Sequence, residues 1–293
     1  KANYTRPEIE QLIFSPKEKN ANIEKTLYLT RRRIENKIKS LNISNFYICS
    51  LSSEVIVYKG MFLAEQLSSF YPDLLDPDFK SKFAVYHQRY STNTFPTWSL
   101  AQPFRVLAHN GEINTLKGNL NWMKAHETRI TDDFFGDRVE DLKPILDSDA
   151  SDSASLDAAF EILLQTDRSL PMTKSMIIPE SWSNNNDMPD ELKKMYAYCN
   201  AVIEPWDGPA AVCANFGDWI ISGMDRNGLR PLRYIITGDD LLISGSEVGM
   251  VIVDDRNILK KGRVGPGELI AINYKEKKFY QSDELKKQLA KQN

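Results

Sequence analysis

The chain has 293 residues, enough to bury the core of one large domain or two small ones. With 42% hydrophobic and 26% charged residues and a net charge of −3, both signs interspersed, it reads as a soluble globular protein and not as a nucleic-acid surface. No apolar run approaches the ~20 residues that span a bilayer, and three widely spaced cysteines suit reduced thiols in cytoplasm, not a disulfide framework or a metal site.

Residues 1–22 are polar, with two prolines, and read as a connecting segment. The spacing of Ile23, Leu27, Leu29, Ile34 and Ile38 predicts a helix over 23–41, with Arg31-Arg32-Arg33 as its solvated face. Phe46–Leu51 and Val55–Tyr58 predict a hairpin turning at Ser52-Ser53-Glu54. A short helix from Met61 to Phe70 stops at Pro72. Two apolar runs follow, each ending in a polar loop. Phe83–Tyr86 leads into His87-Gln88-Arg89-Tyr90-Ser91-Thr92, and Phe104–Ala108 into His109-Asn110-Gly111-Glu112. Both runs read as buried strands. A helix starts near Asn114 as N-cap, with Leu116, Leu120 and Met123 at helical spacing. The polar stretch after Glu127 ends at Asp147–Ser153. A helix follows with Leu156, Phe160, Leu163 and Leu164 on one face. Residues 169–188 read as a long loop. Asp187 and Pro189 then signal a helix whose Leu192, Met195, Tyr196 and Cys199 share a face. From Ala210 the period changes. AAVCANF, WIISG, LRYIITG, DLLISG, GMVIVD and ELIAINY, separated by Gly/Asp turns, predict consecutive antiparallel strands. No repeat or low-complexity linker interrupts the chain, so a single α+β domain is expected.

The segments HQRYSTNTFPTW and LAHNGEINT carry a family likeness. With KGMFLAEQLSSFYPDLLD before them, and SDSASLD, WDGPAA and GMDRNGLRPLRY after them, they resemble the class II glutamine amidotransferase domain of glutamate synthases. The resemblance runs from about Arg31 to about Asn273. It implies a four-layer αββα sandwich of two antiparallel sheets, of the N-terminal nucleophile hydrolase type, incomplete at its N-terminus. That domain would occupy 23–274, with 275–293 a linker toward a following domain.

Arg89 follows a predicted strand, and a planar guanidinium can bind a carboxylate through two parallel hydrogen bonds. The resemblance implies that it holds the α-carboxylate of glutamine, with Ser91 and Thr92 adding donors. From the residues alone, an Arg paired with a structural acid is the commoner meaning. Amide hydrolysis develops negative charge on the carbonyl oxygen, and a side-chain amide beside a backbone N–H suits that charge. The resemblance gives Asn110 and Gly111 this role; a plain Asn-Gly turn is the alternative. For Asp152 it implies a grip on the α-ammonium group, against a helix-capping role shared with Ser153. Cys49, Cys199 and Cys213 read as buried structural thiols. A papain-like pair with His87 or His109 would need a partly exposed thiolate. The Asp225–Pro231 turn corroborates the likeness and carries no catalytic step.

In the implied chemistry an N-terminal cysteine attacks the glutamine carboxamide, with its own α-amine as base. Glutamate is formed and ammonia passes to a part of the enzyme containing FMN and an iron–sulfur cluster, where it meets 2-oxoglutarate. No cofactor is expected within these residues. Implied partners are glutamine and glutamate, the remaining synthase domains, and a reductase subunit or ferredoxin, with no nucleic acid and no membrane. The chain begins Lys1-Ala2-Asn3, so it reads as a fragment without the nucleophile, inactive alone. A catalytically silent glutamine- or glutamate-binding docking module, or the amidotransferase domain of another class II enzyme, are the alternatives. EQLSSFYPDLLD and PTWSLAQPFR favour glutamate synthase over the latter.

Overall fold

A computed structural model describes residues 3–17, 22–90, 95–131, 135–247 and 249–291. In place of one continuous domain, the chain forms two compact units. The first comprises Lys1–Arg105 and Glu127–Ile145, the second Val106–His126 and Leu146–Asn293.

In the first unit the predicted N-terminal helix forms as α1 (Ile23–Ser40). Successive helical residues are rotated by about 100°, so three consecutive arginines cannot share one face. Arg31 therefore turns inward and is buried, which corrects the expected solvated face. Its Nη1 donates to both Glu35 carboxylate oxygens at 2.9 Å, and Arg105 Nη2 reaches Glu35 Oε1 at 3.0 Å. Arg32 donates to the carbonyls of Leu142 and Pro144. Burial pushes the Glu35 carboxyl up, but Arg31, Arg105 and Arg32 outweigh it and hold the group below its ordinary range.

The expected helix Met61–Phe70 shrinks to a 3-10 turn and one helical turn, α2 (Leu67–Phe70). Among the described residues of this unit no strand forms, so the hairpin at 46–58 and the strand Phe83–Tyr86 are both corrected. The turn at Ser52 does form, with its Oγ accepting from Glu54 and Val55 N–H. The neighbouring Val57 N–H donates to a side chain, Ser50 Oγ at 3.3 Å, in place of a ladder partner. The apolar groups around it gather as rings instead, with Phe62, Phe70, Tyr71 and Trp98 in mutual contact.

Among the described residues, both sheets lie in the second unit. Strands β1 (Leu107–Gly111), β2 (Ala210–Phe216), β3 (Trp219–Met224), β7 (Leu269–Asn273) and β8 (Lys278–Tyr280) form one antiparallel sheet in the order β1-β2-β3-β7-β8. Strands β4 (Arg233–Thr237), β5 (Leu242–Gly245) and β6 (Ile258–Arg263) form the second, ordered β5-β4-β6. Ala211, Met224 and Ile270 of the larger sheet share one buried cluster with Tyr234 of the smaller, so the sheets pack face to face. Helices α4 (Asp152–Leu164), α5 (Leu170–Ile177) and α7 (Ser282–Ala290) contact the larger sheet. The fold is the expected α+β class with two antiparallel sheets; within this unit the layers run helix, sheet, sheet.

Several local expectations are corrected here. The loop predicted over 169–188 contains α5, whose eight residues are all buried. A helix enclosed on every side shows no amphipathic period, and its Pro171 sits in the first turn, where a missing N–H costs nothing. GMVIVD is not a strand, and Ile252 is 99% exposed. The charged segment ILKKGR forms β6 instead. The expected linker 275–293 supplies β8 and α7, with Tyr280, Leu285 and Leu289 in the core. Helix α6 (Asp190–Val202) matches its predicted face, with Leu192, Met195, Tyr196 and Cys199 buried, whereas in α3 (Leu116–Glu127) Met123 is buried beside Asn119 and the predicted Leu116 and Leu120 are only half-buried.

Candidate active site

The second strand of the sequence motif is β1, displaced three residues from its predicted span, so that His109, Asn110 and Gly111 belong to the strand and not to a loop after it. The cause is pairing: Asn110 lies opposite Ala211 and Gly111 opposite Ala210. Hydrogen-bonded pairs alternate along an antiparallel ladder. Asn215 N–H donates to Val106 O at 2.9 Å and Glu112 N–H to Pro209 O at 3.0 Å. The Val106 carbonyl, residues 108 and 110, and the Glu112 N–H therefore bond toward β2, and the N–H groups of Leu107, His109 and Gly111 point away from it. Among the described residues β1 has no second ladder neighbour, which leaves the Gly111 N–H available.

Side chains alternate as well. Asn110 shares a face with its partner Ala211, the face packed on the smaller sheet. His109 takes the opposite face, where its Nδ1 meets Ser153 Oγ at 2.9 Å. Asn110 is half-buried, and among the described residues none hydrogen-bonds its carboxamide. Two adjacent donors, one from a side chain and one from the backbone, are thus uncommitted at the end of a rigid strand. Gly111 is required by space: a Cβ there would lie 1.7 Å from Pro209 O.

Helix α4 fastens this strand. Its N-cap is Ser151, whose side chain accepts from Ala154 N–H at 3.2 Å, so neither Asp152 nor Ser153 is the cap. Asp152 Oδ2 accepts instead from Ile113 N–H at 2.9 Å, two residues past Gly111. Asp157, one turn beyond Ser153, is buried and accepts from Val106 N–H at 2.9 Å and Leu107 N–H at 3.0 Å. Residues four apart share a helix face, so SDSASLD presents Ser153 and Asp157 to β1 together.

WDGPAA holds the other side. Asp207 O accepts from Asn114 N–H at 2.8 Å and Thr115 N–H at 3.3 Å, and Asp207 N–H donates to Thr115 Oγ1 at 2.9 Å. This lacing occupies the backbone at Asn114, and α3 begins at Leu116, one residue later than an Asn114 N-cap predicts. Asp157, Asp207 and Asp225 are contributors that sequence reasoning missed. Their signal was their place in SDSASLD, WDGPAA and DRNG, but an Asp in such segments reads first as a cap or turn residue.

The structure therefore brings Asn110, Gly111 and Asp152 together in one unit. Arg89 belongs to the other unit, exposed and outside regular structure. Ser91 and Thr92 lie outside the described residues. The thiols are poor nucleophiles where they stand. Burial pushes Cys199 up to about 11, raises Cys213, which is 3.3 Å from Ser222 Oγ, and raises Cys49 against the pull of Lys59 and Arg105. His126 pairs with Glu204 at 2.7 Å. Lys174, wholly buried in α5, donates to Met224 O at 2.7 Å. Burial and the nearby Lys286 charge lower it to about 7 against the opposing pull of Glu180 and Asp225. Among the described residues no group of three or more His, Cys, Asp or Glu is placed to hold a metal ion, and no helix is long and apolar enough to cross a membrane.

A family model described as "Glutamine amidotransferases class-II" matches residues 1–293. The chain is 57% identical to the large chain of the NADPH glutamate synthase of Azospirillum brasilense, over 99% of this chain and 19% of that protein. It is 45% identical to the corresponding Bacillus subtilis large chain, over 92% of this chain and 18% of that one. A chloroplastic ferredoxin-dependent glutamate synthase of rice is 43% identical over 100% of this chain and 18% of its own length. The chain thus spans about one-fifth of the length of these relatives.

Proposed function

The chain belongs to the class-II glutamine amidotransferases, and from that premise we propose that it is the glutamine-hydrolysing part of a glutamate synthase. The observation that carries the reading is the pair of donors at the end of β1, the Asn110 carboxamide and the Gly111 N–H, that are uncommitted among the described residues.

In this reading the side-chain carbonyl oxygen of glutamine lies between those donors. A thiolate attacks the amide carbon, and the electron pair of the C=O bond moves to oxygen. Donors already fixed in place need not reorganise as that charge develops. The tetrahedral adduct collapses, the C–N bond breaks, and nitrogen leaves as ammonia after taking a proton. Water then cleaves the thioester, giving glutamate and restoring the thiol. The nucleophile is the N-terminal cysteine of the class, whose α-amine takes the thiol proton. Cys49, Cys199 and Cys213, all with raised thiols, are assigned no part in it.

Substrate selection follows from the charged ends of an amino acid. Arg89 is assigned the α-carboxylate, with Ser91 and Thr92 assigned supporting donors, and Asp152 is assigned the α-ammonium. Asp152 is suited to this because its Oδ2 already accepts from Ile113 N–H, which fixes the carboxylate relative to the oxyanion donors. Simple amides lacking those charges are poorly held.

The released ammonia is consumed elsewhere in the longer protein, with 2-oxoglutarate as acceptor. FMN and an iron–sulfur cluster belong to that part, and so does contact with a reductase subunit or ferredoxin, all in cytoplasm. The relatives' names carry either NADPH or ferredoxin as donor, as expected if glutamine hydrolysis is independent of the electron source. The test is ammonia release by the full-length protein. L-Glutamine is hydrolysed and acetamide is not; no release from glutamine contradicts the reading.

A further inference from the structure

We propose that Asp225 and Arg226 are positioning residues for the oxyanion-binding strand end: they clamp residues 207–210, against which Gly111 and the backbone of 112–115 rest. The kinetic part of this inference rests on the amidotransferase reading.

Asp225 stands where β3 ends and beside the start of β2. One step past the pair Ala211 and Met224, the ladder would match Ala210 with Asp225. Asp225 keeps half of that match, its N–H donating to Ala210 O at 2.9 Å. The other half passes to the side chain: Ala210 N–H donates to Asp225 Oδ1 at 3.0 Å. The Asp225 carbonyl is thereby released to accept from Gly267 N–H at 2.8 Å, just before β7. Its second carboxylate oxygen accepts from Asn227 N–H at 2.8 Å. One residue with 1% exposure thus joins β2 and β3 through its side chain and N–H, and reaches the approach to β7 through its carbonyl. A buried acceptor with this many donors is hard to replace, because each abandoned N–H bears its full desolvation cost.

Arg226 holds the next link. Its Nε and Nη2 make two bonds to the Asp207 carboxylate, at 3.1 and 2.7 Å. Asp207 O in turn receives the N–H groups of Asn114 and Thr115. Clearance at the neighbouring glycines leaves no slack. A Cβ on Gly208 would lie 1.9 Å from Glu112 O, as one on Gly111 would clash with Pro209 O. Two contact paths result, Asp225 to Ala210 to Gly111, and Arg226 to Asp207 to residues 114–115. Neither residue is assigned a contact with the glutamine; both act through the loop.

The test uses the full-length protein, wild type, Asp225→Asn and Arg226→Gln. The Arg226 side chain is 52% exposed, so its substitution leaves the core intact if Asp225→Asn fails to fold. Hydrogen–deuterium exchange is measured without glutamine, so it speaks to the clamp whether or not glutamine is the substrate. Both variants are expected to exchange faster in peptides covering 110–115, with peptides from α6 unchanged. In glutamine hydrolysis, kcat falls on the order of tenfold for Arg226→Gln and a hundredfold for Asp225→Asn, the scale of a small misplacement of catalytic groups. KM stays within about twofold, since ground-state binding is not touched. Unchanged exchange at 110–115, or faster exchange with wild-type kcat, overturns the proposal.

Discussion

Two segments of this chain are alike in sequence, each an apolar run entering a polar loop: 83–92 and 104–112. They differ in what holds them. Residues 106–115 are bonded by Asp152 and Asp157 from α4, and by Asp207 and Pro209 from the loop before β2. Residues 83–90 form no strand, four of the eight are exposed, and Arg89 is among those four. A chemically suggestive loop is thus held in place by acceptors far away in sequence, not by its own composition. In the account proposed above, the rigid segment carries the groups that meet the transition state. The less constrained one carries the group that grips the substrate's carboxylate.

The comparison can be broken most severely at Gly111. Gly111→Ala inserts a methyl where Pro209 O stands 1.7 Å away, so β1 and the 209–210 backbone must part. Glutamine turnover is expected to fall to background, with a lowered melting temperature; near-wild-type turnover would refute the tight approach. Next comes Asp157→Ala, which strands two buried backbone N–H groups. At about 1–3 kcal/mol each, urea denaturation should show several kcal/mol of lost stability. Arg89→Ala should act on the other segment and on binding alone. Losing charge-assisted hydrogen bonds to a carboxylate raises KM for glutamine by on the order of tenfold or more, with no loss of stability. A stability loss like that of Asp157→Ala would erase the contrast.

A pH dependence is expected in the rigid unit as well. Lys174 is lowered to about 7 from an ordinary 10.5 by burial and Lys286, with Glu180 and Asp225 opposing. Between those values the unfolded chain holds a proton that the folded chain has released, so stability rises with pH across that window. Thermal melts from pH 7 to 9 should therefore climb more steeply in wild type than in Lys174→Met. Parallel slopes would contradict the assignment.

Much of the rigid unit was legible. β2 occupies the predicted AAVCANF, and α6 buries Leu192, Met195, Tyr196 and Cys199 on one face, because hydrophobic period reports burial directly. Helix α5 was hidden because burial on every side erases the period, and β6 because Lys260 and Lys261 disguise an exposed strand. β1 was misplaced by three residues because His109-Asn110-Gly111 reads as a turn until Ala210 and Ala211 are known to lie opposite. The residues proposed to act on substrate were named from motif likeness, and local rules alone favoured blander readings of each. The acids that hold them, Asp157, Asp207 and Asp225, were not separable from caps and turns. Which N–H a carboxylate accepts is a fact of tertiary structure.

The most direct measurement is the steady-state kinetics of Asn110→Ala in the full-length protein. Removing one oxyanion donor should lower kcat for glutamine hydrolysis by about 10²–10³-fold, with KM and melting temperature close to wild type. A wild-type kcat, or a loss confined to KM, would contradict the assignment of Asn110 and Gly111 to the developing oxyanion.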